Sequence, residues 1–304
     1  MNIYSSLLRK AILFPGMLQV HRQVMMRSLA MQMVETTGSE PSMLIPEYTQ
    51  HIPDVPGLYA NTAFMLYYGW NLEDAAVISS SLAERLSTNV VTIEKMSTPY
   101  DIEVIINIGD VVKKGTHLVK WFEGVDKTVE NTRFMRAGVT VPGIVKDIEV
   151  YRSLSGVNVV KNVRITVECK YMCNVGSKIS NMHSSKSIIS KILPNDRMPH
   201  CNGIPADIII SPYSIARRMA PSCIMEIMLN TYIKKLRKVF DNNELNMVIT
   251  PFDNDLTFQA VASNLELLGI PNDCTYYLTD TANGKLYSNK TLFGPMRLGR
   301  LHHH

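Results

Sequence analysis

The chain has 304 residues, 46% of them hydrophobic and 19% charged, which is typical of a folded globular protein and excludes a disordered tail. At this length, two or more domains with a sizeable buried core are expected. The formal net charge of +4 is too small to indicate a nucleic-acid partner by itself, so clustering of the cations matters more than their total.

No segment of the chain has the pattern of an export signal or a membrane span. No apolar run reaches the roughly 18 residues that a membrane-spanning helix needs, and SSLLRKAILFPGML has its cations in the wrong order for a secretory signal. We therefore expect a cytoplasmic protein that is not secreted and does not bind a membrane. The terminal HHH is either native or the remnant of an expression tag.

The five cysteines indicate a reducing compartment, because their number is odd and no pair has the spacing of a redox motif. A zinc site built from Cys169, Cys173, His200 and Cys201 would need a second close pair at ligand spacing, which the sequence lacks. We interpret the thiols as ordinary buried side chains.

The predicted elements begin with a helical N-terminus and continue into strands. Residues 1–57 combine a methionine-rich, helix-permissive stretch with a proline-punctuated loop, which predicts a separate N-terminal segment. Residues 101–159 contain short β-branched runs split by Gly, Asn and Asp turns, which predicts an inserted β unit. The following run VRITVEC alternates, so its valines, isoleucine and cysteine should share one buried face.

Two helices are predicted in the C-terminal half. Pro221 suits a first helical turn, and apolar residues recur at helical spacing from there to about Phe240. A second apolar stripe runs from about Asp255 to Leu268, includes Phe258, and is followed by a glycine stop. The order of elements is mixed α and β without a repeated βαβ unit, which favours an α+β fold.

Two charged pairs are candidates for chemistry. Glu73 and Asp74 follow an apolar strand and a Gly-Trp-Asn turn, where adjacent carboxylates can hold a hydrated magnesium ion or stabilise a helix N-terminus. Arg217 and Arg218 precede the helix near Pro221, where they form either a fork for phosphate or carboxylate or an ordinary surface pair. Both interpretations stay open for each pair.

The stretch NVGSKISNMHSSKS contains Lys178 and Lys186, with serines and His183 between them. Small residues let a backbone approach an anion while two ammonium groups supply charge, so the stretch predicts a phosphate site. It lacks the glycines of a Walker A loop. A solvated loop explains the same spacing, and spacing alone favours it slightly.

Taken together, these stretches resemble the C-terminal half of the second-largest (β) subunit of multisubunit DNA-dependent RNA polymerases. AFMLYYGWNLEDAAVIS is similar to that family's Gly-Tyr-Asn-x-Glu-Asp signature, with Trp70 in place of the tyrosine. VGSKISNMHSSKSIISKILPNDRMP is similar to its two-lysine run, and GIPADIIISPYSIARRM to its Pro-Ser-Arg-Met segment. Because the chain begins with Met at this point, it further resembles a split β subunit, as in large-genome (jumbo) bacteriophages.

The resemblance runs from about Leu58 to Gly294 and implies an α+β, β-rich fold. It implies a double-psi β-barrel-type hybrid-binding domain at residues 58–100 and 160–304, with an inserted sandwich-barrel hybrid segment at 101–159 and peripheral helices. The inserted segment is short, which implies a trimmed flap and wall region. Promoter recognition would then depend on an unrelated partner subunit.

The resemblance also assigns a role to the charged residues. Lys178 and Lys186 would reach the RNA 3′ end and the nucleotide phosphates, and Arg218 would contact the triphosphate. Glu73 and Asp74 would lie near a second magnesium ion, shared with the NTP and the partner subunit. The other residues assigned to nucleic-acid or NTP binding are His183 and His303.

The implied reaction is nucleotidyl transfer, with the main magnesium ion held by a β′-type largest subunit. Further implied partners are an N-terminal β part on a separate chain, template DNA, nascent RNA and NTPs. The isolated chain is therefore expected to be inactive.

Two other functions remain open. IGDVVKKGTHLVKWFEGVDKTVE resembles a lipoyl or biotinyl carrier domain, with Asp126 and Lys127 at a hairpin tip. A non-catalytic nucleic-acid-binding scaffold fits the departures from the polymerase pattern within the two-lysine stretch. Ser177 replaces an acidic residue, Ser184 and Ser187 replace glycines, and Met182 replaces an arginine.

Overall fold

The computed structural model describes residues 12–49, 54–123, 131–155, 158–250 and 256–302. The chain divides into two compact units, of which the first combines Met1–Ser87 with Met172–His304 and the second is Thr88–Tyr171. Among the described residues, no helix is both long and apolar enough to cross a membrane.

Helices and strands alternate irregularly along the chain. The helices are α1 (Val20–Ala30), α2 (Ser80–Arg85), α3 (Tyr213–Arg218), α4 (Ser222–Phe240) and α5 (Phe258–Leu267). The strands are β1 (Met33–Val34), β2 (Leu44–Pro46), β3 (Leu58–Phe64), β4 (Ala75–Ser79), β5 (Thr88–Thr98), β6 (Ile102–Val104), β7 (Val111–Val112), β8 (His117–Phe122), β9 (Thr132–Arg136), β10 (Gly143–Ser155), β11 (Asn158–Tyr171), β12 (Lys178–Asn181), β13 (Lys186–Leu193), β14 (His200–Cys201), β15 (Ile204–Pro205), β16 (Ile208–Ile210), β17 (Met247–Ile249), β18 (Thr275–Thr279) and β19 (Leu286–Leu301).

Six strands of the first unit close into a barrel. Their order is β12-β13-β4-β16-β3-β19, and β19 pairs back with β12. The pairs β13–β4 and β16–β3 are parallel, and the other four pairs are antiparallel. Closure gives each of the six strands a partner on both sides. The expectation of a β-rich α+β fold is confirmed.

The barrel interior is packed with branched aliphatic side chains. Leu58, Ile78, Ile189 and Ile208 come from four of the six strands, and each is fully buried. β16 consists of three consecutive isoleucines that are all buried, which is typical of a strand covered on both faces. The barrel can therefore hold the side chains on its outer surface in fixed directions.

Helix α4 packs against β19 and confirms the helix predicted from Pro221 to Phe240. A Cβ atom at Gly294 of β19 would lie 2.6 Å from Cγ2 of Ile227, so this close approach of helix and strand requires glycine. Burial of the apolar face of α4, which includes Met225 and Ile227, fixes this helix against the barrel.

Helix α5 confirms the second predicted helix, with one correction to its buried face. Val261 and Leu265 are buried as the apolar stripe predicts, but Phe258 is exposed. Phe258 is the first residue of the helix and has no preceding turn beside it, so helical spacing alone does not bury it.

The second unit contains two small sheets around its own core. One sheet has the order β5-β11-β10-β7 and the other β6-β8-β9. The alternation predicted for VRITVEC in β11 is confirmed, because Val163, Ile165, Val167 and Cys169 are all buried in this core. Asp126 and Lys127, the residues of the carrier hypothesis, lie outside the described residues.

Candidate functional site

The two lysines of NVGSKISNMHSSKS lie on one face of the barrel. They begin the neighbouring strands β12 and β13, in which Lys178 is paired with Ile188 and Ser180 with Lys186. Since Ile179 and Ile189 point into the core, the side chains of both lysines must point outward. Residues in this diagonal relation across an antiparallel pair lie about 7–8 Å apart. The structure therefore brings together the two cations that the sequence predicted to act together.

The prediction of a solvated loop between these lysines is wrong. The segment is a β-hairpin whose turn residues Met182, His183 and Ser184 are buried. Asn181 closes the turn, because its Oδ1 accepts the backbone N–H of His183 at 3.0 Å and that of Ser185 at 2.9 Å. Short polar side chains bond readily to nearby backbone groups, so this segment folds into a compact turn.

A buried carboxyl group that the sequence interpretation missed, that of Glu226, holds the turn. Nε2 of His183 lies 2.6 Å from Oε2 of Glu226 in α4, and both side chains are essentially inaccessible to solvent. Oε1 of Glu226 accepts hydrogen bonds from the backbone N–H of Arg297 at 2.8 Å and from Nδ2 of Asn230 at 3.3 Å. The available signal was a lone carboxylate inside the apolar run CIMEIML.

The two predicted histidine contacts have different outcomes. His183 is fully buried and points toward α4, so in this structure its side chain does not reach the outer face that carries the lysines. His303 lies outside the described residues. Nucleic-acid binding by either histidine stays a prediction.

Arg218, the last residue of α3, links the acidic pair to the hairpin. Its Nη2 contacts Oδ1 of Asp74, and its Nη1 donates to Oγ of Ser185 at 3.3 Å. The side chain of Arg218 is 12% exposed. Arg217 differs, because its side chain is 64% exposed and pairs at 3.2 Å with the exposed Glu73. Arg218 is therefore the arginine that the fold fixes in place.

These residues line an open cleft of about 220 Å³. Arg22 of α1 also lines it, although Arg22 is not among the predicted site residues. Burial lowers the pKa of Arg22 from its ordinary value, and the like charge of Arg218 lowers it further. The cleft thus collects three guanidinium groups opposite two carboxylates, and it suits an anion that can replace a carboxylate as partner of an arginine. The complete lining is Arg22, Glu73, Asp74, Tyr213, Ser214, Arg217 and Arg218.

The described residues do not complete a magnesium site by themselves. Glu73 and Asp74 supply hard carboxylate oxygens of the kind that Mg²⁺ prefers, but each is paired with an arginine. No group of three or more His, Cys, Asp or Glu side chains suitable for a metal occurs in the described part of the chain. All five cysteines are buried, and burial raises the pKa of the Cys223 thiol well above its ordinary value.

Ser184→Gly is expected to raise the free energy of unfolding by about 1 kcal/mol. Ser184 has φ 61°, in the left-handed region that glycine adopts without steric cost, and its buried Oγ has no hydrogen-bond partner among the described residues. The free energy of unfolding of the first unit is measured by urea unfolding, followed by the fluorescence of Trp70. A Trp121→Phe background removes the tryptophan of the second unit.

The matched control is Ser187→Gly, which alters another buried serine of the same hairpin. Ser187 is buried within β13. Glycine at this position has no side chain to pack and gives the unfolded chain more conformational freedom, so we expect the free energy of unfolding to fall by about 0.5–1 kcal/mol. If both variants were destabilised equally, the backbone conformation at Ser184 would not be a source of strain.

Comparison with known proteins gives the family of this chain. The family model described as RNA polymerase Rpb2, domain 6, matches residues 100–304, which is more than half of the chain. The chain belongs to this family. The matched residues include the lysine hairpin, Arg217 and Arg218, whereas Glu73 and Asp74 precede them.

Curated relatives of this RNA polymerase chain are bacterial proteins named DNA-directed RNA polymerase subunit beta. The protein of Clostridioides difficile (strain 630) is 27% identical over 295 residues, covering 79% of this chain and 23% of the relative. That of Streptococcus pneumoniae serotype 19F (strain G54) is 25% identical over 292 residues, covering 79% and 23%. The chain therefore spans about a quarter of the length of these relatives. The expected similarity to the C-terminal part of a β subunit is confirmed.

Proposed function

We propose that this chain is the C-terminal β-subunit part of a multisubunit DNA-directed RNA polymerase. In this proposal its barrel binds the RNA 3′ end, the RNA–DNA hybrid and the incoming NTP, together with a β′-type subunit. One observation carries the proposal. Lys178 and Lys186 share an outer face of the barrel, and Arg218 is bonded to the turn between them.

The chemistry follows from the charges on that face. In nucleotidyl transfer, the RNA 3′ hydroxyl gives up its proton to water and its oxygen bonds to the α-phosphorus of the NTP. The bond between that phosphorus and the α,β-bridging oxygen breaks, and pyrophosphate leaves. Negative charge grows on the phosphate oxygens during this step. Preorganised cations such as Lys178, Lys186 and Arg218 stabilise that charge without having to reorganise. The chain's own contribution is thus charge and position.

Magnesium and the remaining machinery would come largely from partners. Mg²⁺ would stabilise the entering and leaving oxygens, with the main ion held by the β′-type subunit. Glu73 and Asp74 would contribute to a second ion only together with oxygens from the NTP and the partner, since these two carboxylates do not form a site alone. The remaining β region, template DNA, nascent RNA and a promoter-recognition subunit complete the proposed assembly.

The barrel is proposed to be of the double-psi type. Support comes from its six closed strands and from the two parallel pairs, β13–β4 and β16–β3, among antiparallel ones. The two small sheets of Thr88–Tyr171 are proposed to correspond to the inserted sandwich-barrel hybrid segment.

Chemical cross-linking tests which side chains meet the RNA 3′ end. An RNA with an amine-reactive aldehyde on its 3′ nucleotide is annealed to template in the assembled complex, and the Schiff base is reduced. We expect peptide mapping to find the link on Lys178 or Lys186. Lys285, an exposed lysine in the turn before β19 of the same unit, is the control and should remain unlabelled. Equal labelling of Lys285, or none on the hairpin, would contradict the proposal.

A further inference from the structure

Two consecutive helices hold the hairpin turn that joins β12 to β13. Arg218, at the end of α3, donates to Oγ of Ser185 at 3.3 Å. Glu226, in the second turn of α4, lies 2.6 Å from Nε2 of His183. Ser185 immediately precedes Lys186 and His183 lies three residues before it, so both contacts act within three residues of that lysine.

The carboxylate of Glu226 is placed where an apolar side chain would pack more simply. Its neighbours Met225 and Ile227 are fully buried, and burying an ionised carboxylate costs several kcal/mol unless partners compensate it. Here both oxygens are used, one by His183 and the other by the N–H of Arg297 and by Asn230. The carboxylate therefore bonds the hairpin turn, α4 and β19 to one another in directions that an apolar contact cannot specify.

The hydrogen bonds of the turn leave it little freedom. Asn181 bonds the turn from inside through two backbone N–H groups, and Glu226 bonds it from the helix. Removing the Glu226 carboxylate leaves the imidazole of His183 and one backbone N–H without their partner in the core. Burial of unsatisfied polar groups is unfavourable, so the turn would shift to find new partners. A shift of the turn moves Lys186 relative to Arg218.

We propose that His183 and Glu226 are positioning residues, whose buried bond fixes the hairpin so that Lys186 and Arg218 act on the same substrate phosphates. The inference depends on the proposed function, because it concerns the site where nucleotide incorporation would occur. Neither residue touches substrate in this scheme. Both act through Lys186.

The test is a double-mutant cycle in the reconstituted polymerase complex, with single-nucleotide incorporation measured over a range of NTP concentrations. Glu226→Leu keeps the volume and removes the carboxylate. We expect its maximal rate to fall about 10–100-fold with the NTP KM within about threefold, because a displacement near 1 Å is enough for such a loss. Glu226→Gln keeps an acceptor for Arg297 and a polar partner for His183, so it should lose only about fivefold or less.

The decisive comparison is made in a Lys186→Ala background. If Glu226 acts through Lys186, Glu226→Leu should slow that background by no more than about twofold, since its effect is already lost. If the Glu226→Leu variant does not assemble, Glu226→Gln takes its place in the cycle. Its smaller loss of incorporation rate should likewise be absent in the Lys186→Ala background. Losses that multiply, or a full rate in Glu226→Leu, would overturn the positioning role while leaving the proposed function intact. If Lys186→Ala alone were fully active, the proposed function would fail, and this inference with it.

Discussion

Arg218→Ala is expected to lower kcat/KM for nucleotide incorporation by about 10–100-fold, mainly through a higher KM for the NTP. A hydrogen bond to a charged group contributes about 1.5–3 kcal/mol, and each 1.4 kcal/mol is a factor of ten. The side chain is already fixed by Asp74 and Ser185 and is largely shielded from solvent, so little entropy is lost when it binds phosphate. The measurement is steady-state incorporation by the reconstituted complex.

Arg217→Ala is the matched control, because it removes the same charge one residue away. The Arg217 side chain is exposed and pairs with an exposed Glu73, and such surface pairs contribute little. We expect kcat/KM for nucleotide incorporation to change by less than about threefold. Arg218→Lys should not restore the KM, since a single ammonium group cannot reproduce the planar fork of a guanidinium. Equal losses at Arg217 and Arg218 would contradict the assignment of the phosphate contact to Arg218.

Elements whose residues interact locally were predictable from the sequence. The buried face of β11 follows from strict alternation, and α4 follows from apolar spacing after Pro221. Both patterns reflect periodicities that the backbone itself imposes. Close packing between elements was not predictable in this way. The requirement for glycine at Gly294 depends on the side chain of Ile227 in a different element.

The turn of the lysine hairpin shows where local interpretation failed. Its serines and histidine have the composition of an exposed loop, yet His183 and Ser184 are buried. The cause lies 43 residues away, in the carboxylate of Glu226. A polar group is buried when a partner is present, and the partner here belongs to a helix whose position the barrel determines.

The charged cleft could be predicted only in part. The sequence identified Glu73, Asp74 and Arg218 separately, but the pairing of Arg218 with Asp74 joins positions 144 residues apart. Strand β4 brings Asp74 beside β13, where its carbonyl accepts the N–H of Ile188 at 2.9 Å. The contact between Arg218 and Asp74 depends on the order of strands in the barrel, which cannot be predicted from the spacing of residues within one motif.

The non-catalytic scaffold remains the principal rival. The pairing of Arg217 and Arg218 with Glu73 and Asp74 already offsets two of the three cations in the cleft, which suits a scaffold as well as a site that exchanges one anion for another. A scaffold and a polymerase site differ in what each lysine contributes. In a scaffold, Lys186 supplies affinity for nucleic acid, whereas in the polymerase site it supplies stabilisation of the transition state.

Lys186→Ala in the reconstituted complex separates these functions most directly. We expect the elongation rate to fall about 100-fold or more, as when one preorganised group is removed from a developing negative charge. Retention on template DNA at fixed salt should change by less than about threefold, since one phosphate contact among many is lost. Lys285→Ala, which removes an exposed lysine of the same unit, should change neither quantity. A large loss of elongation with DNA retained is the result that the proposed function predicts; equal losses of elongation and retention, or none, would contradict it.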